Sequence, residues 1–291
     1  MIKLIAGLID VFADAPLSGN PLAVVEGADG LDDDVLRRIA REFNQAETTF
    51  LLPSTRADWK LRSFTANGSE VGGAGHNALG AWLWLGHHGQ LRDLTEARTF
   101  RQEIGSDVLP ITLQARDGRI HGRMRQAALR LGPPLDGLGS LAEGLGIPPG
   151  DLVASPAPRV ADTGAAHLMV RASDRHAVDR CDPIAGKLLE VLAAAGAEGC
   201  YVYAFDESTP DVAYARFFNP TVGLWEDSAT GTAAGPLTAY LGAEGLLTAE
   251  RGLSIEQGVR MGRRSLLRVD LTPDPELSGA GVVVLRGMLH L

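Results

Sequence analysis

The sequence predicts a mixed α/β (α+β) protein of two pseudo-symmetric halves, each a curved, mostly antiparallel sheet wrapped around one central helix. Three observations lead there. Short β-prone runs bounded by turn residues fill most of the chain, two segments are apolar almost all round, and the surroundings of those two segments echo each other. With 291 residues, 45% of them hydrophobic and 22% charged, the chain has material for a sizeable core. Its length suits two domains of roughly 100–200 residues each.

Residues 2–12 and 22–25 are apolar and β-prone, and Ser18-Gly19-Asn20-Pro21 between them is a turn signal. Residues 32–42 open with acids and carry Val35, Leu36, Ile39 and, just beyond, Phe43 at helical spacing, which predicts an amphipathic helix. Strand patterns resume at 48–52, 59–64, 111–114 and 120–124. Residues 73–86 and 231–242 have no polar face, so each is expected as a helix buried on all sides.

The echo runs through both halves. Arg62-Ser-Phe64 recurs as Arg216-Phe-Phe218, and Glu70 and Gly75 recur as Glu226 and Gly231. Upstream, Gly19-Asn-Pro-Leu-Ala-Val is faintly similar to Gly164-Ala-Ala-His-Leu-Met-Val. A repeat of about 150 residues is too long for a solenoid and reads as duplication. The division is expected at 116–118, giving an N-terminal half 1–116 and a C-terminal half 117–278, the latter opening with a loop and helix at 131–150. The closing strand, 279–291, is expected to return to the first half.

Composition removes several function classes. The net charge is −9 and no Lys/Arg run exceeds two residues, so the basic face of a nucleic-acid binder is missing. Lys3, Lys60 and Lys187 are the only lysines, which leaves little for Schiff-base chemistry. Cys181 and Cys200 are too few for a thiolate zinc site or a disulfide framework, and a reduced, cytoplasmic setting is expected. Asp10 cuts the first apolar run short of a secretory h-region of ~7–15 residues, and nothing approaches the ~18 apolar residues of a membrane span. The histidines lack metal-ligand spacing and no G-x-S-x-G elbow is present, so neither a metal nor a hydrolase triad is expected.

Four places carry possible chemistry. Gly73-Ala74-Gly75-His76-Asn77-Ala78 matches the dinucleotide fingerprint G-x-G-x-x-A, with Asp93 further on, but its flanks read as antiparallel strands and the echo at 231 lacks the glycines. The glycines before the two buried helices otherwise have two readings: small residues that let a carboxylate reach free N–H groups at a helix start, or spacers for tight helix–sheet packing. Glu47 lies at the start of a strand and Asp227 just before a helix; each is either a proton-exchanging acid or, respectively, an exposed strand residue and a helix cap. His76, in the first helical turn, is either a hydrogen-bonded core residue or part of the anion site. His87-His88 is expected to close the same helix.

Together these segments resemble one family. Asp10-Val-Phe12 with Gly19-Asn20-Pro21-Leu-Ala-Val-Val, then Ala46-Glu47-Thr48-Thr-Phe50, then Arg62-x-Phe64-Thr65 followed by Glu70-Val71 and Gly75-His76-Asn-Ala-Leu79-Gly80, resemble in order the motifs of the PhzF-like phenazine-biosynthesis family. So do Arg216-Phe-Phe218, Gly223, Glu226-Asp227-Ser-Ala-Thr230-Gly231-Thr232-Ala233 and Gln257-Gly258 with Met261-Gly262-Arg263. The resemblance implies a diaminopimelate-epimerase-like fold and a homodimeric isomerase that needs no cofactor and acts on a small carboxylate-bearing metabolite in a cleft. It implies Glu47 as general acid/base, His76 and Asp227 beside it in the catalytic set, and Asn20, Gly75, Gly231 and Thr232 binding substrate, the two glycines through their backbone. Thr232 keeps the hydroxyl of the family's Ser, whereas Ala46, Gly72, Gly73 and Ala74 replace its Ser, Pro, Phe and Cys. A racemase with two facing thiols is disfavoured, because no cysteine stands at either helix start. The alternative is a carboxylate-binding protein without turnover, against which the pairing of Glu47 with His76 argues.

Overall fold

The computed structural model describes residues 1–73, 75–206, 208–209, 211–222, 224–248 and 250–291; Ala74 and Gly223 of the motifs above lie outside the described residues. The chain forms two compact units, one of Met1–Met124 with Ser278–Leu291 and one of Arg125–Leu277.

The first unit begins with strands β1 (Lys3–Val11) and β2 (Asn20–Glu26), helix α1 (Asp33–Phe43), then β3 (Glu47–Leu52), β4 (Trp59–Thr65) and the short β5 (Glu70–Val71). Helix α2 (His76–His87) follows, then β6 (Arg98–Ile104), β7 (Asp107–Arg116) and β8 (Arg119–Arg125). The acids read at the head of α1 do what that position favours: the Asp32 carboxylate accepts from the Val35 N–H at 2.9 Å, and Asn44 closes the helix in the left-handed region.

Two pairs are parallel, β2–β3 with α1 as crossover and β4–β6 with α2 as crossover; β1–β2, β3–β4, β6–β7 and β7–β8 are antiparallel. Residues 116–118, expected as the division between halves, are instead the turn of the β7–β8 hairpin. Asp117 and Gly118 both take positive φ (53° and 74°), which reverses the chain so that Arg116 pairs with Arg119.

Period-two alternation sends one face of this sheet to each helix. On β3, Thr49 faces α2 while Phe50 packs with Phe64 under Leu36 and Ile39 of α1. Helix α2 is buried continuously from His76 to Leu85, as its lack of a polar face requires. Gly80 permits that depth: a Cβ there would sit 2.6 Å from the side chains of Leu22 and Val11.

The second unit repeats the order. After β9 (Arg130–Pro134) and α3 (Gly139–Leu145) come β10 (Arg159–Asp162), β11 (Ala166–Arg171), α4 (Arg175–Arg180), α5 (Ala185–Ala195), β12 (Gly199–Phe205) and β13 (Val212–Asn219). Then follow β14 (Leu224–Asp227), α6 (Gly231–Ala243), β15 (Leu253–Gln257), β16 (Ser265–Leu271) and β17 (Pro275–His290). Strands β11–β12 are parallel with α4 and α5 between them, and β13–β15 are parallel with α6 between them. From Ser278 onward β17 belongs to the first unit, where it pairs with β1.

Register makes the likeness specific. Arg62 on β4 lies opposite Phe50, and Arg216 on β13 lies opposite Val202; three residues earlier on the facing strands stand Glu47 and Gly199. Leu22 pairs with Glu47 and His167 with Gly199. Among the described residues, no helix is long and apolar enough to cross a membrane, and no group of three or more His, Cys, Asp or Glu is arranged to hold a metal ion.

Candidate active site

In the first unit, Glu47 opens β3 and His76 opens α2, and the fold brings the two together. His76 Nδ1 lies 2.9 Å from Glu47 Oε2, with 9% of the His76 side chain and 20% of the Glu47 side chain exposed. Glu47 is therefore a strand residue turned to the helix start, not one left in solvent. Burial, the largest single influence on the carboxyl, pushes its pKa up. The charge and hydrogen bond of His76 together outweigh burial and hold it below the ordinary carboxylate value.

The α2 start is braced from within. Asn77 Oδ1 accepts the Gly75 N–H at 2.7 Å, and its Nδ2 donates to Ser63 Oγ and Gly73 O, both at 3.0 Å. The Gly75 N–H, expected to support a substrate carboxylate, is here engaged within the chain: a helix start leaves N–H groups without helical partners, and a short amide in the first turn reaches back to one of them. The sequence signal was an Asn two residues after the glycine. Asn20 is buried at the head of β2, opposite Val11.

The Arg–Glu echo is structural. Arg62 grips Glu70 through two bonds (2.7 and 2.8 Å) and Arg216 grips Glu226 likewise (2.8 Å twice), so each fork ties a strand to the hairpin leading into a buried helix.

In the second unit, Asp227, Gly231 and Thr232 gather at the start of α6. Asp227 is not the helix cap: Thr230 occupies that position, and its hydroxyl donates to Asp227 Oδ2 at 2.7 Å. Gln257, fully buried, holds the loop. Its Oε1 accepts from Tyr201 Oη (2.8 Å) and the Thr230 N–H (3.2 Å), while its Nε2 donates to Asp227 O (2.8 Å). Gln126 Nε2 donates to Gly231 O at 2.8 Å, and Thr163 Oγ1 donates to Gln126 Oε1 at 2.7 Å. Gly235 makes room for that amide, which a Cβ would overlap at 1.7 Å. The Thr232 hydroxyl lies 3.3 Å from Nε2 of the buried His167.

Asn77, Gln126 and His167 were not singled out from sequence as functional, and Gln257 was seen only as part of a motif. Cys181 and Cys200 sit in the apolar core formed with α3, α4 and α5; burial pushes both thiols up, that of Cys181 to about 12. His88 Nδ1 meets Trp84 O at 2.8 Å at the end of α2, whereas His87 reaches Gly281 O on β17.

Comparisons with known proteins agree in family. A family model described as phenazine biosynthesis-like protein matches residues 9–287. The trans-2,3-dihydro-3-hydroxyanthranilate isomerase of Pseudomonas chlororaphis is 31% identical over 291 residues, covering 98% of each chain. A solved phenazine biosynthesis protein of the PhzF family from Bacillus anthracis superposes with a TM-score of 0.88 at 26% identity over the whole of both chains. A predicted epimerase from Pseudomonas aeruginosa gives a TM-score of 0.83 at 31% identity, covering 98% of this chain and 99% of its own.

Proposed function

Because the chain belongs to the phenazine biosynthesis-like family and is an isomerase, we propose that it shifts a proton between two positions of a small carboxylate-bearing metabolite, with Glu47 as general acid/base. The observation that supports this reading is the 2.9 Å contact of Glu47 with His76 at the head of a buried helix. A carboxyl held ionised by its neighbour is a ready acceptor in the resting enzyme. Once protonated, it is a stronger acid than a free carboxyl and returns the proton readily. One carbon gives a proton to Glu47 and another carbon receives one from it, with exchange against solvent between the two transfers, so no electrons are gained or lost.

Asn20, Asp227 and Thr232 are assigned to binding and orienting the substrate, with N–H groups at a helix start supporting its carboxylate. Gly231 opens α6, whereas the Gly75 N–H before α2 is already taken by Asn77.

The test is turnover in D2O. Candidate substrates are trans-2,3-dihydro-3-hydroxyanthranilate, which the Pseudomonas chlororaphis relative isomerises by name, and other small cyclic amino carboxylates. Wild-type enzyme should place deuterium in the product, and Glu47→Gln should lower kcat by roughly 10²–10⁴-fold while substrate still binds. Undiminished turnover by Glu47→Gln overturns the assignment. Binding of these carboxylates without product formation or isotope exchange in the wild type would favour a carboxylate-binding protein instead.

A further inference from the structure

We propose that His167 is a positioning residue: its Nε2–H holds the Thr232 hydroxyl so that the hydroxyl proton is presented to the substrate carboxylate. This rests on the reading that Thr232 touches substrate.

The duplication supplies the first argument. In the first unit a side chain from the sheet meets the residue that follows the helix-start glycine: Glu47 meets His76, after Gly75. In the second unit the register position of Glu47 falls to Gly199, where a Cβ would lie 2.4 Å from the Phe217 ring, so no side chain fits. The partner comes instead from the neighbouring strand. His167, directly opposite Gly199, reaches Thr232, which follows Gly231 as His76 follows Gly75. The same place beside a buried helix start is thus filled by a carboxylate–imidazole pair in one unit and an imidazole–hydroxyl pair in the other.

The chemistry of the imidazole sets the direction of that bond. His167 is 2% exposed, and its ring is fixed edge-on against Phe217, with centroids 4.9 Å apart at 78°. Burial pulls its pKa down to about 4, against a smaller upward pull from Asp162, so the ring is neutral near pH 7 and carries one proton. Nδ1 has no hydrogen-bond partner among the described residues. An orphaned buried N–H is costlier than an under-used acceptor, which places the proton on Nε2, where Thr232 accepts it. Thr232 Oγ1 then spends a lone pair on His167, and its own proton is left to donate to an anion as a charge-assisted bond.

The test separates this from simple packing. His167→Phe keeps a planar ring and removes the donor; KM for the carboxylate substrate should rise about 3–10-fold with kcat changed less than about twofold. His167→Gln, whose amide donates from nearly the same place, should restore KM. In a Thr232→Val background, His167→Phe should add nothing. A wild-type KM in His167→Phe, or the same increment with and without the Thr232 hydroxyl, overturns the inference. Nitrogen-15 spectra of the unmodified protein add a readout that needs no substrate: a His167 proton found on Nδ1 also overturns it. Glu47→Gln tests the acid/base reading by itself, so a silent His167→Phe in an enzyme that depends on Glu47 counts against this inference alone.

Discussion

The carboxylate of Glu47 and the imidazole of His76 meet at 2.9 Å where β3 and α2 begin, and the imidazole decides which way the carboxyl titrates. Glu47 must be ionised to accept a proton, so activity falls as pH drops through its pKa. In the wild type that fall should lie below the ordinary value of 4.5. His76→Asn removes the charge and leaves burial, the largest influence, to act alone. The acid limb of kcat/KM should then move to higher pH; a limb that stays in place or moves down would contradict the coupling.

Gln257 is the keystone of the Asp227 loop. Gln257→Leu retains bulk but strands the Thr230 N–H and the Tyr201 hydroxyl in a buried place and removes the donor to the Asp227 carbonyl. A loss of about 3–5 kcal/mol in urea unfolding is expected, since each stranded group costs about 1–3 kcal/mol and part of the loop relaxes. Variant protein that remains folded should also bind substrate more weakly.

The two Arg–Glu forks should differ in weight. The Arg216 side chain is 8% exposed and also donates to the carbonyls of Val178, Asp179 and Cys181 at the end of α4, whereas that of Arg62 is 20% exposed. Lysine satisfies neither fork but strands more at position 216. Arg216→Lys should destabilise by about 2–4 kcal/mol and Arg62→Lys by about 1 kcal/mol, measured by denaturant unfolding.

His167 should make the fold acid-sensitive. Its pKa falls from 6.5 to about 4 on folding, so below pH 6.5 the unfolded chain takes up a proton that the native one refuses. Stability on this account is intact above pH 6.5, declines as pH falls, and levels off below about 4, with on the order of 3 kcal/mol lost. Between pH 7 and 4 the wild type should lose more unfolding free energy than His167→Phe; parallel curves would mean that the imidazole is not buried neutral.

How much could be read in advance follows from how far apart the interacting residues lie. The buried helices α2 and α6, the capped start of α1 and the repeated Arg and Glu positions were legible because periodicity, capping and repetition are properties of contiguous sequence. The motifs likewise pointed to Glu47, His76, Asp227 and Thr232 by residue type. What sequence left open was which partner each group would take. Gly75 was expected to support a substrate carboxylate and is engaged by Asn77, residues 116–118 were expected as the division and form a hairpin turn, and His167 was not singled out. These outcomes depend on strand register and on which face of a sheet meets a helix. Pairing Gly199 with His167, and setting both beside α6, joins residues that are distant along the chain, and only the closed packing of the unit decides which polar groups must satisfy one another there.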